Sequence, residues 1–583
     1  MVTDRSRHFS SAPTQVSIGL LILVVASSSW AQVANNSIVA DVPGTTNSSA
    51  AVVAADTISD VIDGCDTESA QKSFSERLRI TYKDYLNWNG DSADVQPTWR
   101  EGYQPPPEST PPMPFTGWPL GGSETIGYDN SFNGPLMDAI YCGPSGKAWK
   151  ESRVSIYGWV NPGMNVSSSH TRYNTQNGTG GNFPAAYSYA PNTAQVDQVA
   201  LYVERTPDVV QKEHFDWGFR VAGLWGTDAK YTYSSGLFSN QFSNANGKVV
   251  KYGYDIPMAY LEGYFPHVAD GMNVRVGRYI SIPDIEAQLA PNNYTYSHSL
   301  LYTYDPYTQT GVVATVKLNK NWTIQGELSA GNDVALWYYP KVPTTFVNGN
   351  GDTVANPNAG QKIGAQLTPA LCVNWTSDSG NDAFYPCLNG AKPVGNAGNF
   401  GWNNVQHKAV TWYHKFNDQW HMSSEAWHMY QKNTPNLQHP DGQGLYNSYF
   451  GSTNTVGGPF GAMGGRGCGI NDGVTCTSKS WAFVNYIVYQ PTPRDFITFR
   501  SEILNDVNGQ RTGFATKYSE FLIGWNHWIG KAITVRPEIR YEHAGMAAYN
   551  NPCPSLGTAG CGNTVTSGSR HQLMFSMDAV FHF

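Results

Sequence analysis

Taken two residues at a time, the final stretch of the chain, HQLMFSMDAVFHF from His571, sorts into two faces. Leu573, Phe575, Met577, Ala579, Phe581 and Phe583 lie on one, and Gln572, Met574, Ser576, Asp578, Val580 and His582 on the other. Successive side chains of a strand point to opposite sides, so the alternation predicts a β-strand with one apolar face. Strand-like segments of this kind recur from Arg153 onward with little helical periodicity, starting near residues 153, 195, 215, 256, 272, 309, 322, 405, 420, 480, 496, 516, 533 and 571. They make about fourteen strands, most of them close to the roughly nine to eleven residues that a tilted strand needs to cross a bilayer. Their connections alternate between short (268–271, 319–321, 417–419, 491–495, 530–532) and long (281–308, 332–404, 432–479, 544–570).

A soluble sandwich has no reason to gather its short turns at one end and its long loops at the other, whereas a transmembrane barrel does. The fold class expected is therefore all-β: a transmembrane, antiparallel, up-and-down β-barrel of about fourteen strands (12–16) over residues 151–583. Trp225, Trp322, Trp420, Trp481, Trp528 and Tyr541 fall near strand ends, where interfacial aromatic girdles would sit. Pro537 lies inside a strand, where it removes a ladder hydrogen bond and predicts a bulge.

Upstream of the strands the pattern changes. Arg5, Arg7 and His8 precede an apolar run from Val16 to Ala26, and Ser29-Trp30-Ala31 offers small residues at a cleavage site, so residues 1–31 read as a secretory signal peptide. Residues 32–75, rich in Ala, Ser, Asn and Val, read as a disordered linker. Residues 76–150 read as an irregular extension or plug, with the proline-rich stretch YQPPPESTPPMPFTGWPLGG from Tyr103.

Composition narrows the partners. Charged residues are 14% of the chain and aromatics 13%, an unusually uncharged and aromatic balance. A net charge of −8 gives no basic footprint for nucleic acid. A mean hydropathy of −0.39 argues against a helical membrane protein but leaves room for a barrel whose strands are only half apolar. Eight cysteines (Cys65, Cys142, Cys372, Cys387, Cys468, Cys476, Cys553 and Cys561) suggest disulfides in an oxidising compartment. The close pairs Cys372/Cys387, Cys468/Cys476 and Cys553/Cys561 read as staples of long loops. Their spacing does not suit zinc, and no metal or other cofactor is expected.

Several stretches together resemble the OmpL-like β-barrel porin family of Gram-negative outer membranes: GFRVAGLWGTDAKYT at 218, VGRYISIPDIEAQLAPNNYTYSHSL at 276, YDPYTQTGV at 304, SRVSIYGWVNPGMN at 152 and the terminal Phe583. The resemblance covers roughly 140–583 and implies a porin-like role in the outer membrane without identifying a solute. Phe581 and Phe583 resemble the C-terminal signal read by the barrel assembly machinery, except that Asp578 stands where that signal carries glycine.

In a barrel, charges belong on the face turned from lipid, because one at the bilayer midplane costs ~2 to 4 kcal/mol. The segment at 533 places Arg536, Glu538, Arg540 and Glu542 opposite Ile533, Val535, Pro537, Ile539 and Tyr541. The same sorting assigns to the lumen Arg500 and Glu502, Asp216 and Arg220, Glu204, Glu262, Arg275, Glu327, Glu425, Glu520 and Asp578. These are the expected pore-lining residues, or else an ion-pair network bracing the wall. The loop after 280 is a candidate constriction carrying Asp284 and Glu286. Carboxylates outnumber arginines in this set, which leans toward cations.

The function expected is passive diffusion of small hydrophilic solutes or ions through a water-filled barrel in outer-membrane lipid, as a monomer or homo-oligomer. The alternative is a non-conducting adhesin or structural surface barrel. No enzyme is expected: GxSxG, HExxH and P-loop motifs are absent, and WHMSSEAWHMY, which on a helix would join His421, Glu425 and His428, reads as a strand that separates them.

Overall fold

The computed structural model describes Cys65 and residues 72–87, 126–127, 134–170, 181–182, 184–185, 187–241, 250–281, 285–360, 364–389, 405–417, 419–450, 467–469, 471–492, 494–550 and 568–583. The signal peptide, the proline-rich stretch from Tyr103 and the linker apart from Cys65 and residues 72–75 lie outside them.

Sixteen strands close into one antiparallel barrel, and each pairs with its neighbours in sequence. They are β1 (Val154–Ser167), β2 (Thr193–Arg205), β3 (Asp216–Gly226), β4 (Gly253–Phe265), β5 (Met272–Ile280), β6 (Thr308–Lys317) and β7 (Trp322–Asn332), then β10 (Thr368–Thr376), β11 (Asp382–Asn389), β12 (Gln406–Lys415), β13 (Trp420–Pro435), β14 (Thr475–Thr492), β15 (Asp495–Asp506), β16 (Thr516–Ile529), β17 (Ile533–Ala544) and β18 (His571–His582). A separate ribbon, β8 (Thr345–Val347) with β9 (Thr353–Ala355), sits in the loop between β7 and β10. The barrel closes where β18 meets β1, and Phe583 and Gly158 exchange both backbone hydrogen bonds there (2.9 and 3.0 Å). No backbone edge is left open along that seam, as a wall in hydrocarbon requires.

Two strands exceed the expected fourteen. β10 and β11 fall in the segment 332–404, which the sequence pattern assigns to a loop; they are short, and Pro369, Pro386 and two cysteines blur their alternation. Cys372 and Cys387 consequently do not staple a loop. They face each other in register across β10 and β11, both buried, with Cα atoms 4.2 Å apart. Cys468 pairs with Cys476 and Cys65 with Cys142, while Cys553 and Cys561 lie outside the described residues.

Outward positions are apolar along strand after strand: Leu573, Phe575 and Phe581 on β18, Phe521, Ile523 and Trp525 on β16, and Phe499 and Ile503 on β15 are all exposed. At the end bearing the short turns, Trp217, Trp322, Trp375, Trp412 and Trp525 are exposed; at the loop end, Trp225, Tyr254, Trp481 and Tyr541 are. Trp420 is half-buried on the outer face of β13, against Tyr489. Trp528 departs from the expected girdle, because even positions of β16 face inward and it stacks on the buried His582.

Pro537 produces no bulge: Gly524 pairs with Glu538 and His527 with Val535, so the register is the same on both sides of it. Register shifts lie elsewhere, among them one at Asn161/Pro162 between β1 and β2 and one at Ala222/Leu224 between β3 and β4, opposite Pro257.

At the turn end, three helices among the described residues precede the barrel: α1 (Phe74–Asn87), α2 (Pro135–Tyr141) and α3 (Gly146–Ser152). The Tyr82 hydroxyl donates to the His582 carbonyl (2.6 Å) and the Lys531 N–H to the Tyr85 carbonyl (2.8 Å), so α1 is tied to the rim at β16–β18.

Candidate functional site

The covered face of the wall carries every charged residue that the alternation assigns to it. Glu204, Asp216, Arg220, Glu262, Arg275, Glu327, Glu425, Arg500, Glu502, Glu520, Arg536, Glu538, Arg540, Glu542 and Asp578 are all buried. They gather into groups. Arg220 pairs with Glu204, which also accepts the Tyr157 hydroxyl (2.8 Å), and Arg275 pairs with Glu262 (3.2 Å). Across β15–β18, Arg500 reaches Glu520 (2.7 Å), Arg540 stands 3.9 Å from both Glu520 and Glu542, and Arg536 binds Asp578 through Nε (3.0 Å) and Nη2. Asp216 stands apart, at the turn-end rim, between Arg153 (3.0 Å) and Arg205 (2.9 Å). Glu327 has no ion pair among the described residues.

The loop after β5 folds inward over residues 285–307, and its described side chains from Ile285 to Tyr307 are almost all buried. Wall charges hold its backbone. Glu502 accepts the N–H groups of Leu300 (3.0 Å) and Leu301 (3.2 Å), at the first turn of α4 (Leu300–Thr303). Glu538 accepts from Ser297 N–H (3.0 Å) and Glu425 from Ile285 N–H (2.9 Å). Arg500 donates to the Ser297 carbonyl (2.6 Å) and Arg536 to the carbonyls of Ala290 (2.6 Å) and Asn293 (2.9 Å). A loop inside a polar cylinder must find partners for its own peptide groups, and these charged side chains supply them.

Glu286 is turned into the loop itself, accepting the Ser299 N–H (3.0 Å), and burial raises its carboxyl above the usual range. Asp284 lies outside the described residues. Burial lowers His298 to about 3, which keeps the ring neutral as it stacks on Tyr187 (centroids 3.9 Å) and bonds the Ala287 carbonyl (2.8 Å).

Other buried charges escape the simple alternation. On β2 both Asp197 and Gln198 are buried, because the bulge at Pro162 changes which residues face inward. On β4 the bulge at Pro257 does the same for Asp255, which pairs with Arg278 (2.7 Å). Lys230 lies in the loop after β3, its ammonium donating to the Tyr189 hydroxyl (2.7 Å). A proline inside or opposite a strand is the signal that could have shown where the two phases break.

His421 and Glu425 are buried on the inner face of β13 and His428 is exposed on the outer one. No group of three or more His, Cys, Asp or Glu suited to a metal occurs among the described residues.

A closed antiparallel barrel with an apolar outer face, aromatic girdles, ionic inner face and strictly alternating turns and loops is an outer-membrane β-barrel of porin type. The chain belongs to the family described as "Putative beta-barrel porin-2, OmpL-like", which matches residues 153–583. Among solved structures it is similar to an anion-selective porin from Comamonas acidovorans (9% identity, 74% of this chain and 99% of that one, TM-score 0.37). It is also similar to the outer membrane channel DcaP of Acinetobacter baumannii (11%, 74% and 97%, 0.39) and to OprB of Pseudomonas putida (11%, 76% and 96%, 0.39). No curated protein matches it.

Proposed function

We propose that the chain is an outer-membrane porin through which small hydrophilic solutes or ions diffuse passively. One observation carries this reading: a sealed wall that is apolar outside and densely ionic inside. Such a lining is of use only to a polar occupant. The wall residues would shape the path's field, the inward loop would set its narrowest section, and the excess of carboxylates over arginines would favour cations. The finer assignments belong to the same reading. Residues 1–31 would be removed on export, Phe583 would present the C-terminus to the assembly machinery, and the barrel would work alone or as a homo-oligomer, without catalysis.

A second reading, a non-conducting surface barrel, draws support from the burial of the inner wall and the number of bonds that tie the loop across it. Purified full-length protein in a planar bilayer separates the two. Stepwise conductance with a reversal potential set by cations supports the porin. A membrane that stays silent although the protein is folded supports the surface barrel.

A further inference from the structure

The loop between β7 and β10 does something other than cover the barrel's mouth. On β7, Leu328 faces outward and is exposed, but Ala330, two residues further, is buried under Val334 and Ala365, with Tyr338 packed against them. The segment is tied down by its backbone: Ala365 N–H donates to Tyr338 O (2.7 Å), Gln366 N–H to Ala330 O (2.7 Å) and Ala335 N–H to Ser235 O (3.0 Å). The Trp337 indole donates to the Gly236 carbonyl (3.0 Å), and a Cβ on Gly236 would come within 2.7 Å of Tyr338 Cβ. Part of this loop therefore lies against the outside of the wall.

Its free side is apolar. Leu336, Trp337, Tyr339 and Leu367 are 47%, 62%, 59% and 74% exposed. Leu367 continues the outward row of β10, which runs through Leu371 to Trp375. On the other flank are the exposed Trp225 and Tyr254 at the loop ends of β3 and β4, and Tyr252 stacks on Trp225 (5.3 Å) beneath the Lys251 ammonium (5.4 Å). Lys341 is exposed two residues beyond Tyr339. An apolar ridge facing water is costly, whereas tryptophan and tyrosine flanked by lysine is the composition of a membrane–water interface with anionic headgroups.

We propose that Leu336, Trp337, Tyr339 and Leu367 form a flap that rests in the interfacial layer of the outer leaflet, with Lys251 and Lys341 meeting its anionic headgroups. The occupant is lipid because the ridge continues the lipid-facing band without a break at β10. The flap widens the membrane footprint of one side of the barrel and leaves the ribbon β8–β9 above it.

The test uses the full chain in phosphatidylcholine/phosphatidylglycerol vesicles, with a nitroxide attached at Trp337→Cys, Leu367→Cys or, as the aqueous reference, Asn350→Cys. The unsubstituted protein, whose described cysteines are all disulfide-bonded, is the blank. Heat-modifiable migration on electrophoresis establishes that each variant forms its barrel. The expected result is that oxygen reaches the labels at 337 and 367 in preference to a water-soluble nickel chelate, with the opposite preference at 350. Labels at 337 and 367 that behave like 350 overturn the proposal. So do labels shielded from both reagents, which would assign the ridge to a second copy of the chain.

Discussion

Replacing Glu502 by glutamine tests how the inward loop is held. Its two carboxylate oxygens accept the N–H groups of Leu300 and Leu301 at 3.0 and 3.2 Å, where no other part of the wall serves them, and Ser299 Oγ accepts the next, from Tyr302 (3.1 Å). A buried hydrogen bond to a charged group contributes about 1.5–3 kcal/mol. Glutamine keeps one oxygen acceptor without the charge, and its amide group faces the second N–H, so one strong bond is lost and the other weakened. The arginine contacts to Ser297, Ala290 and Asn293 remain, so the loop stays inside but opens more often. A loss of about 2–3 kcal/mol is expected, equivalent to a rise of about thirty- to a hundred-and-fiftyfold in the open fraction. Hydrogen–deuterium exchange followed by mass spectrometry on the barrel in lipid nanodiscs reads this as faster exchange of peptides covering 285–307. Glu151→Gln on the exposed α3 serves as a control that leaves exchange unchanged. Loop exchange within threefold of the unsubstituted protein in Glu502→Gln would refute the reasoning and assign the anchoring to the arginines alone.

Ile523 lies mid-strand on the outer face, between Phe499 and Ile539 in register. Arginine there should lower barrel stability by about 2–4 kcal/mol, read from urea titration in lipid vesicles, and an unchanged midpoint would contradict its contact with lipid. Replacing Cys372 and Cys387 together by alanine should cost about 2–3 kcal/mol, since their bridge closes a loop of sequence separation 15, while the barrel still forms on the ladder between β10 and β11. An equal melting temperature in the double variant would show that the bridge adds nothing. Burial lowers the Lys230 ammonium to about 7 against the pull of Asp228, with Lys251 adding to the depression. The unfolded chain then holds a proton there that the folded one has lost between about pH 7 and 10, so this group adds stability as pH rises through that window. Lys230→Met should flatten the corresponding slope of unfolding stability against pH, and an unaltered slope would place Lys230 in water.

Where one face meets lipid and the other polar groups, each strand announces itself by simple alternation, and β15 to β18 follow it residue for residue. The charged residues of the inner wall were legible for the same reason: ions on the other face, such as Lys408, Lys479 and Lys517, stand only near strand ends. Legibility failed where alternation is interrupted. β10 and β11 are short, carry prolines and cysteines, and resemble a stapled loop. Asp197 and Asp255 lie beyond bulges at Pro162 and Pro257 that exchange inside for outside, while Pro537, the proline that was singled out, sits in unbroken register. The inward course of the loop after β5 is a tertiary fact: its peptide groups meet Arg500, Glu502, Arg536 and Glu538, which lie some two hundred positions away in the chain. Local pattern holds no trace of a partnership formed at that range.

The seam between Gly158 and Phe583 joins the first strand of the wall to the last. Until those two strands meet, both margins of the forming sheet are raw, ready to zip onto any neighbouring chain. Completion also brings together Asn161 and Asp578, 417 positions apart, a closure slow to be found by diffusion. A version lacking only its tail would keep fifteen strands and still be a hazard in the periplasm, because a cylinder missing one stave is an open sheet.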